Sequence, residues 1–277
     1  MPIPARLPII VDGIDHLAEH VRSLQESIQF LTDHENSRGA RILQSVVAEE
    51  AAKILILVDL VRAGSRDQSV VRRQLGYFSS HVPRGIYVHA TSINPGTFRE
   101  VREYIEMFRP ARYLDGPNDA DWIFRNRIES EREEAFYVDY VQDEDGHRWV
   151  TPAHDSFASA WPSALMVKLV GSLHRLGLLT HAGLGLVGDE WSAHVVGDEF
   201  TWADNVARTQ AIVSGAVEAG LVSPTATEAD VRTVFDRWTF PLAGLDLSKR
   251  NVSDAELAAE RSRIEEAFNR DLYGPFD

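Results

Sequence analysis

The fold of this chain is decided by residues 37–63, which read SRGARILQSVVAEEAAKILILVDLVRA. Apolar residues recur there at helical spacing and cover more than one stripe, which predicts a helix near the centre of a bundle. Glu49, Glu50 and Lys53 lie among these apolar residues. Because a charge in an apolar setting needs a partner, we expect one carboxylate to be partly buried and to orient a cation from the third helix. The alternative is a solvated ion pair on one face of the helix.

A second stretch, residues 78–89, reads FSSHVPRGIYVH and contains the pattern Arg84-x4-His89. Pro83 and Gly85 predict a break or a helix start inside it. In an ideal helix the two side chains would point about 140° apart, so only a bend would bring them together. Histidine transfers protons near neutral pH, and arginine holds a phosphate and its growing negative charge. The pattern fits RNA cleavage without a metal, and the alternative is a core histidine with a surface arginine.

Charge and composition narrow the class of protein. The chain has 277 residues, no cysteine and a net charge of −14, which argues against a general nucleic-acid coat. Residues 62–112 nevertheless hold nine arginines against four acids, an arrangement that suits a local phosphate-binding surface or helix faces paired with acids elsewhere. No apolar run approaches the ~20 residues of a membrane span, and the N-terminus lacks a signal-peptide pattern. We therefore expect a cytoplasmic protein without membrane association.

The order of predicted elements gives a mostly α chain in three parts. Residues 1–11 are predicted to form an extended N-terminal arm. Residues 12–180 are predicted to form a helical domain with a small β-hairpin at about 136–150. Residues 181–277 are predicted to form a helical C-terminal extension. Because the link between the first two long helices is short, these helices are expected to pack antiparallel in a bundle.

Local signals place the helices of the extension. Thr201 and Thr227 are predicted N-caps, and Ser253 with Glu256 forms a capping box for the last helix. Residues 183–188 read GLGLVG and match G-x-G-x-x-G. They follow a helical run and not a strand, so we interpret them as a loop and not as a dinucleotide site.

The motifs together resemble a known superfamily. They are the Ala-Glu-Glu-x-x-Lys of residues 48–53, His81-x-x-Arg84, Arg84-x4-His89 and the YVDY of residues 137–140. This combination resembles the HEPN superfamily and, more narrowly, the AbiV family of abortive-infection proteins, over about residues 12–180. The resemblance implies an HEPN-like antiparallel helical bundle and frequent dimerisation. It also implies metal-independent endoribonuclease activity in phage defence or in toxin–antitoxin systems.

The resemblance also implies roles for individual side chains. Arg84 would bind the phosphate, His89 would act as base or acid, and Glu50 would orient them. AbiV-like chains often have lysine where Arg84 stands in His-x-x-Lys, so His81 with Arg84 is a second candidate catalytic pair. The candidate substrate-binding residues are Arg73, Lys53 and Tyr87.

The expected partners follow from the same resemblance. They are RNA, a second copy of the chain, and a phage protein trigger or an antitoxin, with no metal and no cofactor. The rival interpretation is a catalytically silent helical bundle that binds a partner protein or a nucleotide. The acidic remainder of the chain favours this rival, whereas the arginine-rich segment favours the enzyme.

Overall fold

The computed structural model describes residues 3–64, 68–111, 126–143, 146–152 and 160–273. This part of the chain is mostly helical, as predicted, with eleven helices and four short strands. The helices are α1 (Ile3–Asp33), α2 (Ser37–Arg62), α3 (Gln68–Tyr77), α4 (His81–Ala90), α5 (Phe98–Glu106), α6 (Arg127–Phe136), α7 (Ala160–Arg175), α8 (His181–Ser192), α9 (Trp202–Glu218), α10 (Glu228–Arg237) and α11 (Asp254–Tyr273). The strands are β1 (Pro110–Ala111), β2 (Asp139–Asp143), β3 (Gly146–Val150) and β4 (Arg250–Asn251). None of the described helices is both long and apolar enough to span a membrane.

The N-terminal segment is helical, so the predicted extended arm is wrong for residues 3–11. Leu7 and Ile10 are buried there and continue the apolar face that Ile14 begins further along α1. Burying two large apolar side chains stabilises this extra length of helix by a few kcal/mol. Pro8 lies inside α1 and forfeits one backbone hydrogen bond, which the burial of its neighbours outweighs.

The predicted pair of long helices, α1 and α2, is confirmed, and α2 is the central helix of the bundle. From Ala51 to Arg62 all residues except Lys53 are buried, which explains why the apolar positions exceed one stripe. The Leu31 side chain lies against Gly39 near the turn, and Leu57 lies against Gly13 far from it. These contacts show that α1 and α2 run antiparallel, as the short link requires.

The chain breaks between α3 and α4 at residues 78–80, so of the two alternatives predicted for Pro83 and Gly85 the helix start is confirmed and the break is wrong. Pro83 is the third residue of α4, where a missing N–H leaves no helical hydrogen bond unmade. Gly85 permits a close approach: a Cβ atom there would lie 2.3 Å from Cγ2 of Ile128 on α6. Pro83 therefore lies in the first turn of one continuous helix, and Gly85 leaves room for Ile128 of α6 to pack against that helix.

The glycine-rich run at residues 183–188 is helical, so its interpretation as a loop is wrong. It lies within α8, for which Thr180 is the N-cap. A Cβ atom on Gly183 would lie 2.1 Å from the carbonyl oxygen of Gly177 in the preceding turn. The glycine is needed because α8 starts directly against the end of α7.

The β-hairpin at about 136–150 is confirmed by the antiparallel pairing of β2 with β3, in which Tyr140 faces Trp149. The sequence did not predict the parallel pair of β1 with β4, which joins Pro110 and Ala111 to the extension. Within the domain predicted at 12–180, residues 65–67, 112–125, 144–145 and 153–159 lie outside the described part of the chain.

The C-terminal extension shares one hydrophobic core with the rest of the chain. Phe240 is fully buried, and its ring contacts Phe98 of α5 at 6.0 Å and Trp202 of α9 at 5.7 Å between centroids. The predicted caps Thr201 and Thr227 are confirmed, each in a capping box. Residues 181–247 therefore pack as part of the bundle and not as an appendage.

A buried polar network crosses this core around Asp59 and Arg62 of α2, which are 3% and 5% exposed. Arg62 Nη1 donates to Asp59 Oδ1 at 3.0 Å and to the Thr239 carbonyl oxygen at 3.0 Å. The second oxygen, Asp59 Oδ2, accepts from the Tyr87 hydroxyl at 2.8 Å and from the Leu242 N–H at 2.7 Å. One ion pair thus links α2 and α4 to the extension.

Burial perturbs every titratable member of this network. It raises the pKa of Asp59, an effect that Arg62 and the Leu242 N–H oppose. It lowers the pKa of Arg62, which Asp59 opposes. Burial and the adjacent Asp59 carboxylate raise the pKa of Tyr87 well above its ordinary value. Each charge is therefore tolerated in the core only because the other is present.

We predict that Asp59→Ala will lower the free energy of unfolding by about 3–5 kcal/mol, because it leaves the Arg62 guanidinium buried without a counter-charge. Urea denaturation followed by tryptophan fluorescence measures this, since Arg62 lies 4.5 Å from the Trp191 ring and 5.0 Å from the Trp238 ring.

The matched control is Asp198→Ala, which removes the exposed partner of Arg102. An exposed pair is worth no more than about 1 kcal/mol. Equal losses for the two variants would contradict the assigned role of the Asp59–Arg62 pair.

Candidate active site

A cluster of charged side chains forms where α2, α4 and α6 meet, and Glu49 is at its centre. Its Oε2 lies 2.8 Å from His81 Nδ1 and 3.1 Å from Arg84 Nη2. Its Oε1 lies 3.6 Å from Arg132 Nε on α6. Two residues of the Arg84 turn and one residue of α6 thus converge on a single carboxylate of the central helix.

The contacts of Glu49 fix the most favourable tautomer of His81. A carboxylate only accepts hydrogen bonds and a guanidinium only donates them. His81 Nδ1 lies 2.8 Å from Glu49 Oε2 and 2.9 Å from Arg84 Nη2, so a proton on Nδ1 would donate to the carboxylate, whereas a lone pair there would accept from the guanidinium. We assign the proton of the neutral ring to Nδ1, because Arg84 Nη2 already has Glu49 Oε2 as an acceptor at 3.1 Å. The second ring nitrogen, Nε2, is then an acceptor without a protein partner among the described residues, on a side chain that is 43% exposed.

Arg84 is held from two sides on the first turn of α4. Its Nε donates to the Ser80 carbonyl oxygen at 3.1 Å, and Nη2 reaches Glu49. The side chain is only 8% exposed, but Nη1 has no hydrogen bond among the described residues. The guanidinium is therefore fixed in place with one N–H group left for a ligand.

His89 lies in a different environment from Arg84, so the structure does not bring the Arg-x4-His pair together. Its Nε2 is 3.3 Å from Glu131 Oε2, and its ring stacks on Phe108 at 4.6 Å. Burial raises the pKa of Glu131, but hydrogen bonds from His89 and Arg127 outweigh it and leave the pKa below its ordinary value. Because α4 is continuous, the wide angle between Arg84 and His89 that an ideal helix predicts is retained.

A small cleft opens beside His89, between α2, α4, α6 and the start of α7. Its charged lining residues are Arg41, Glu49, Glu131 and Arg132. Its volume is about 70 Å³, which admits water but not a nucleotide. In this arrangement of α6, His89 can exchange protons with water, whereas His81 alone is open to a larger ligand.

The other predicted site residues have internal partners. Glu50 pairs with Lys53 at 2.5 Å, so the orienting contact expected of Glu50 is made by its neighbour Glu49. Tyr87 is 3% exposed and belongs to the Asp59 network, so its ring does not reach a substrate. Arg73 Nη2 donates to the carbonyl oxygens of residues 243 and 244, each at 3.2 Å.

Sequence reasoning missed two residues of the site, Glu131 and Arg132. Both lie in the acidic-basic run before the YVDY segment, and α6 turns them towards α4. The signal that would have found them is Gly85, because a glycine at that point of α4 requires a close neighbour. Among the described residues, no three His, Asp or Glu side chains gather as metal ligands.

The two adjacent carboxylates give a matched pair of variants. We predict that Glu49→Ala will lower the free energy of unfolding by about 3 kcal/mol, because it leaves the buried Arg84 guanidinium unpaired. Glu50→Ala should cost less than Glu49→Ala, because Glu50 pairs with Lys53 alone whereas Glu49 contacts His81, Arg84 and Arg132. Urea denaturation measures both, and a larger loss for Glu50→Ala would contradict the assignment of Glu49 as the central carboxylate.

Comparison with known proteins agrees with the motif and with the fold. A protein-family model described as AbiV, of the HEPN type, matches residues 9–161, more than half of the chain. Neither the curated proteins nor the solved structures gave a match. The matched region includes α2, α4 and α6, which carry Glu49, His81, Arg84 and Arg132. The chain therefore belongs to the AbiV family of HEPN proteins.

Proposed function

We propose that this AbiV protein is a metal-independent endoribonuclease of phage defence. The observation that carries the proposal is a histidine, His81, that a carboxylate orients through one ring nitrogen while the other nitrogen is exposed. Arg84 stands beside it with an unpaired N–H group. A proton acceptor and a phosphate-binding cation next to each other are the two groups that cleavage of RNA at its own 2′-hydroxyl requires.

The proposed chemistry uses the chain's own side chains. His81 Nε2 takes the proton of the 2′-hydroxyl, and the 2′-oxygen forms a bond to phosphorus. The bond from phosphorus to the 5′-oxygen breaks, and that oxygen receives a proton from an acid. Arg84 binds the non-bridging oxygens, whose negative charge grows in the transition state. The products are a 2′,3′-cyclic phosphate and a 5′-hydroxyl. Glu49 keeps the His81 ring oriented and stabilises it once protonated.

The acid must be a second group, and His89 is too far from His81 to serve. Eight helical residues separate them by about 12 Å along the axis of α4. A two-fold arrangement of two chains would place one His81–Arg84 pair opposite another and supply both base and acid. We therefore propose a homodimer with α3 and α4 at or beside the interface. In it, His89 and Glu131 act as positioning residues that fix α6 over α4.

The protein would act in the cytoplasm on RNA, under the control of a phage protein trigger or an antitoxin. The burial of His89 and most of Arg84 favours a second candidate function, a silent bundle that binds a partner protein or a nucleotide. The two functions differ in whether His81 and Arg84 cleave RNA.

For the activity, we predict that the purified protein will cleave single-stranded RNA in the presence of a chelator and leave 2′,3′-cyclic phosphate ends. His81→Ala should lower the rate at least about 100-fold, the usual contribution of a general base. Gel analysis of a labelled oligonucleotide measures both. Arg102→Ala, which removes an exposed arginine outside the site, is the control and should leave the rate unchanged.

Two results would contradict this assignment. A loss of cleavage in His89→Ala but not in His81→Ala would transfer the proton-transfer role to the buried histidine. Cleavage that requires Mg²⁺ would reject the metal-independent mechanism. If no RNA is cleaved even with a candidate trigger added, the silent bundle is the better account.

For the assembly, we predict a dimer by light scattering at micromolar concentration, twice the 31.0 kDa of one chain. Arg72→Glu, at an exposed position of α3, should weaken it, because the substitution reverses the charge that each copy presents to its partner at the interface. A monomer that still cleaves RNA would show that one chain supplies both base and acid.

A further inference from the structure

A groove of about 450 Å³ lies between α1, α2 and α7, outside the His81–Arg84 site. This volume suits one nucleotide-sized ligand. Its apolar lining consists of Ile28, Val47 and Val167, one side chain from each helix. Three glutamine amides, at residues 25, 29 and 44, surround this apolar part. The groove thus offers an apolar surface for a flat ring system and amide groups that both donate and accept hydrogen bonds.

Both charged side chains that line the groove are basic, and one of them, Arg175, is paired with Asp230 outside the lining. Lys168 and Arg175 line it, and no aspartate or glutamate does. This contrasts with a chain whose net charge is −14. The chain has three lysines, of which Lys53 pairs with Glu50 and Lys249 with Glu129. Lys168 is exposed and, within the described residues, is the one lysine without a partner, so its ammonium group is available to an anion.

Arg175 is positioned for the same purpose. Arg175 Nε and Nη2 donate hydrogen bonds to Asp230 Oδ1 on α10, at 3.0 Å and 2.5 Å. The remaining nitrogen, Nη1, lies beside Gly171, where an added Cβ would be only 3.3 Å away. Asp230 therefore fixes the guanidinium plane and leaves Nη1 on the side of the groove that Gly171 keeps open.

The groove adjoins the small cleft beside His89, since Gln44 and Ser163 line both. The arginines of that cleft, Arg41 and Arg132, are accompanied by Glu49 and Glu131, and its volume of about 70 Å³ admits only water. Of these two spaces, the groove is therefore the one that admits a nucleotide and has no carboxylate in its lining.

We propose that this groove binds one nucleotide unit of single-stranded RNA, with its phosphate on Lys168 and Arg175 and its base on the apolar surface of Ile28, Val47 and Val167. The proposal rests on the ribonuclease function in naming an RNA strand as the source of that nucleotide. The same chemistry would also accept a free mononucleotide, and the experiment separates the two sources.

The test measures binding without cleavage. Fluorescence anisotropy follows the full-length protein with a labelled 2′-O-methyl oligonucleotide, which lacks the attacking hydroxyl, and calorimetry follows binding of AMP and UMP. We expect Lys168→Gln to weaken oligonucleotide binding about five- to tenfold near 0.1 M salt and to reduce the salt dependence by about one ion. Ala164→Trp, which fills the groove from the exposed face of α7, should weaken it further. Lys249→Gln is the control of equal charge and should bind as the unchanged protein does.

The outcomes are distinct. If Lys168→Gln and Ala164→Trp leave oligonucleotide binding unchanged, the groove is not an RNA subsite, and the proposal that the protein cleaves RNA is unaffected. If the protein binds AMP or UMP but not the oligonucleotide, and Lys168→Gln abolishes that binding, the groove is a site for free nucleotides and not for an RNA strand. Failure of both ligands to bind at millimolar concentration would overturn the proposal, whether or not the protein cleaves RNA.

Discussion

The structure depends on one ion pair, Asp59 with Arg62, buried in the last turn of the central helix α2. Neither charge can remain in the core alone, so every group that hydrogen-bonds to the pair is held in place by it. Those groups belong to α4 through Tyr87 and to the extension through the backbone at residues 239 and 242. The family match ends at residue 161, yet the network reaches well beyond it. The extension therefore completes the polar interior of the AbiV bundle and is not an independent addition.

The buried Asp59–Arg62 network also determines the geometry of the candidate site, because α4 contributes residues to both. One face of α4 places Tyr87 in the Asp59 network, and another face presents His81 and Arg84 to Glu49, ten residues before Asp59 on the same central helix. The helix α6 closes over α4 at Gly85 and adds Arg132 to the cluster. A rigid core thus supports the first turn of α4, where the exposed histidine lies.

The sequence predicts the helices well and the site only in outline. Apolar periodicity identified the first two helices, and side-chain caps identified the starts of α9, α10 and α11, because these signals are local. The choice between Glu49 and Glu50 depends on how α2 is rotated against α4, which no local signal specifies. The roles of Pro83, Gly85 and Gly183 depend on the tertiary structure for a related reason. A helix breaker by propensity is also the residue that a helix start or a close helix–helix contact requires, and only the tertiary structure distinguishes the cases.

We propose that Glu49 holds His81 with its proton on Nδ1, so that Nε2 can accept a proton from RNA. The most direct test is the ¹⁵N chemical shift of both ring nitrogens in histidine-labelled protein, at a pH at which the ring is neutral. Comparison with His81→Gln identifies the signals of His81 among the ten histidines of the chain. We predict a protonated Nδ1 and an unprotonated Nε2, with the preference lost in Glu49→Gln. A proton on Nε2 in the unchanged protein would contradict the account.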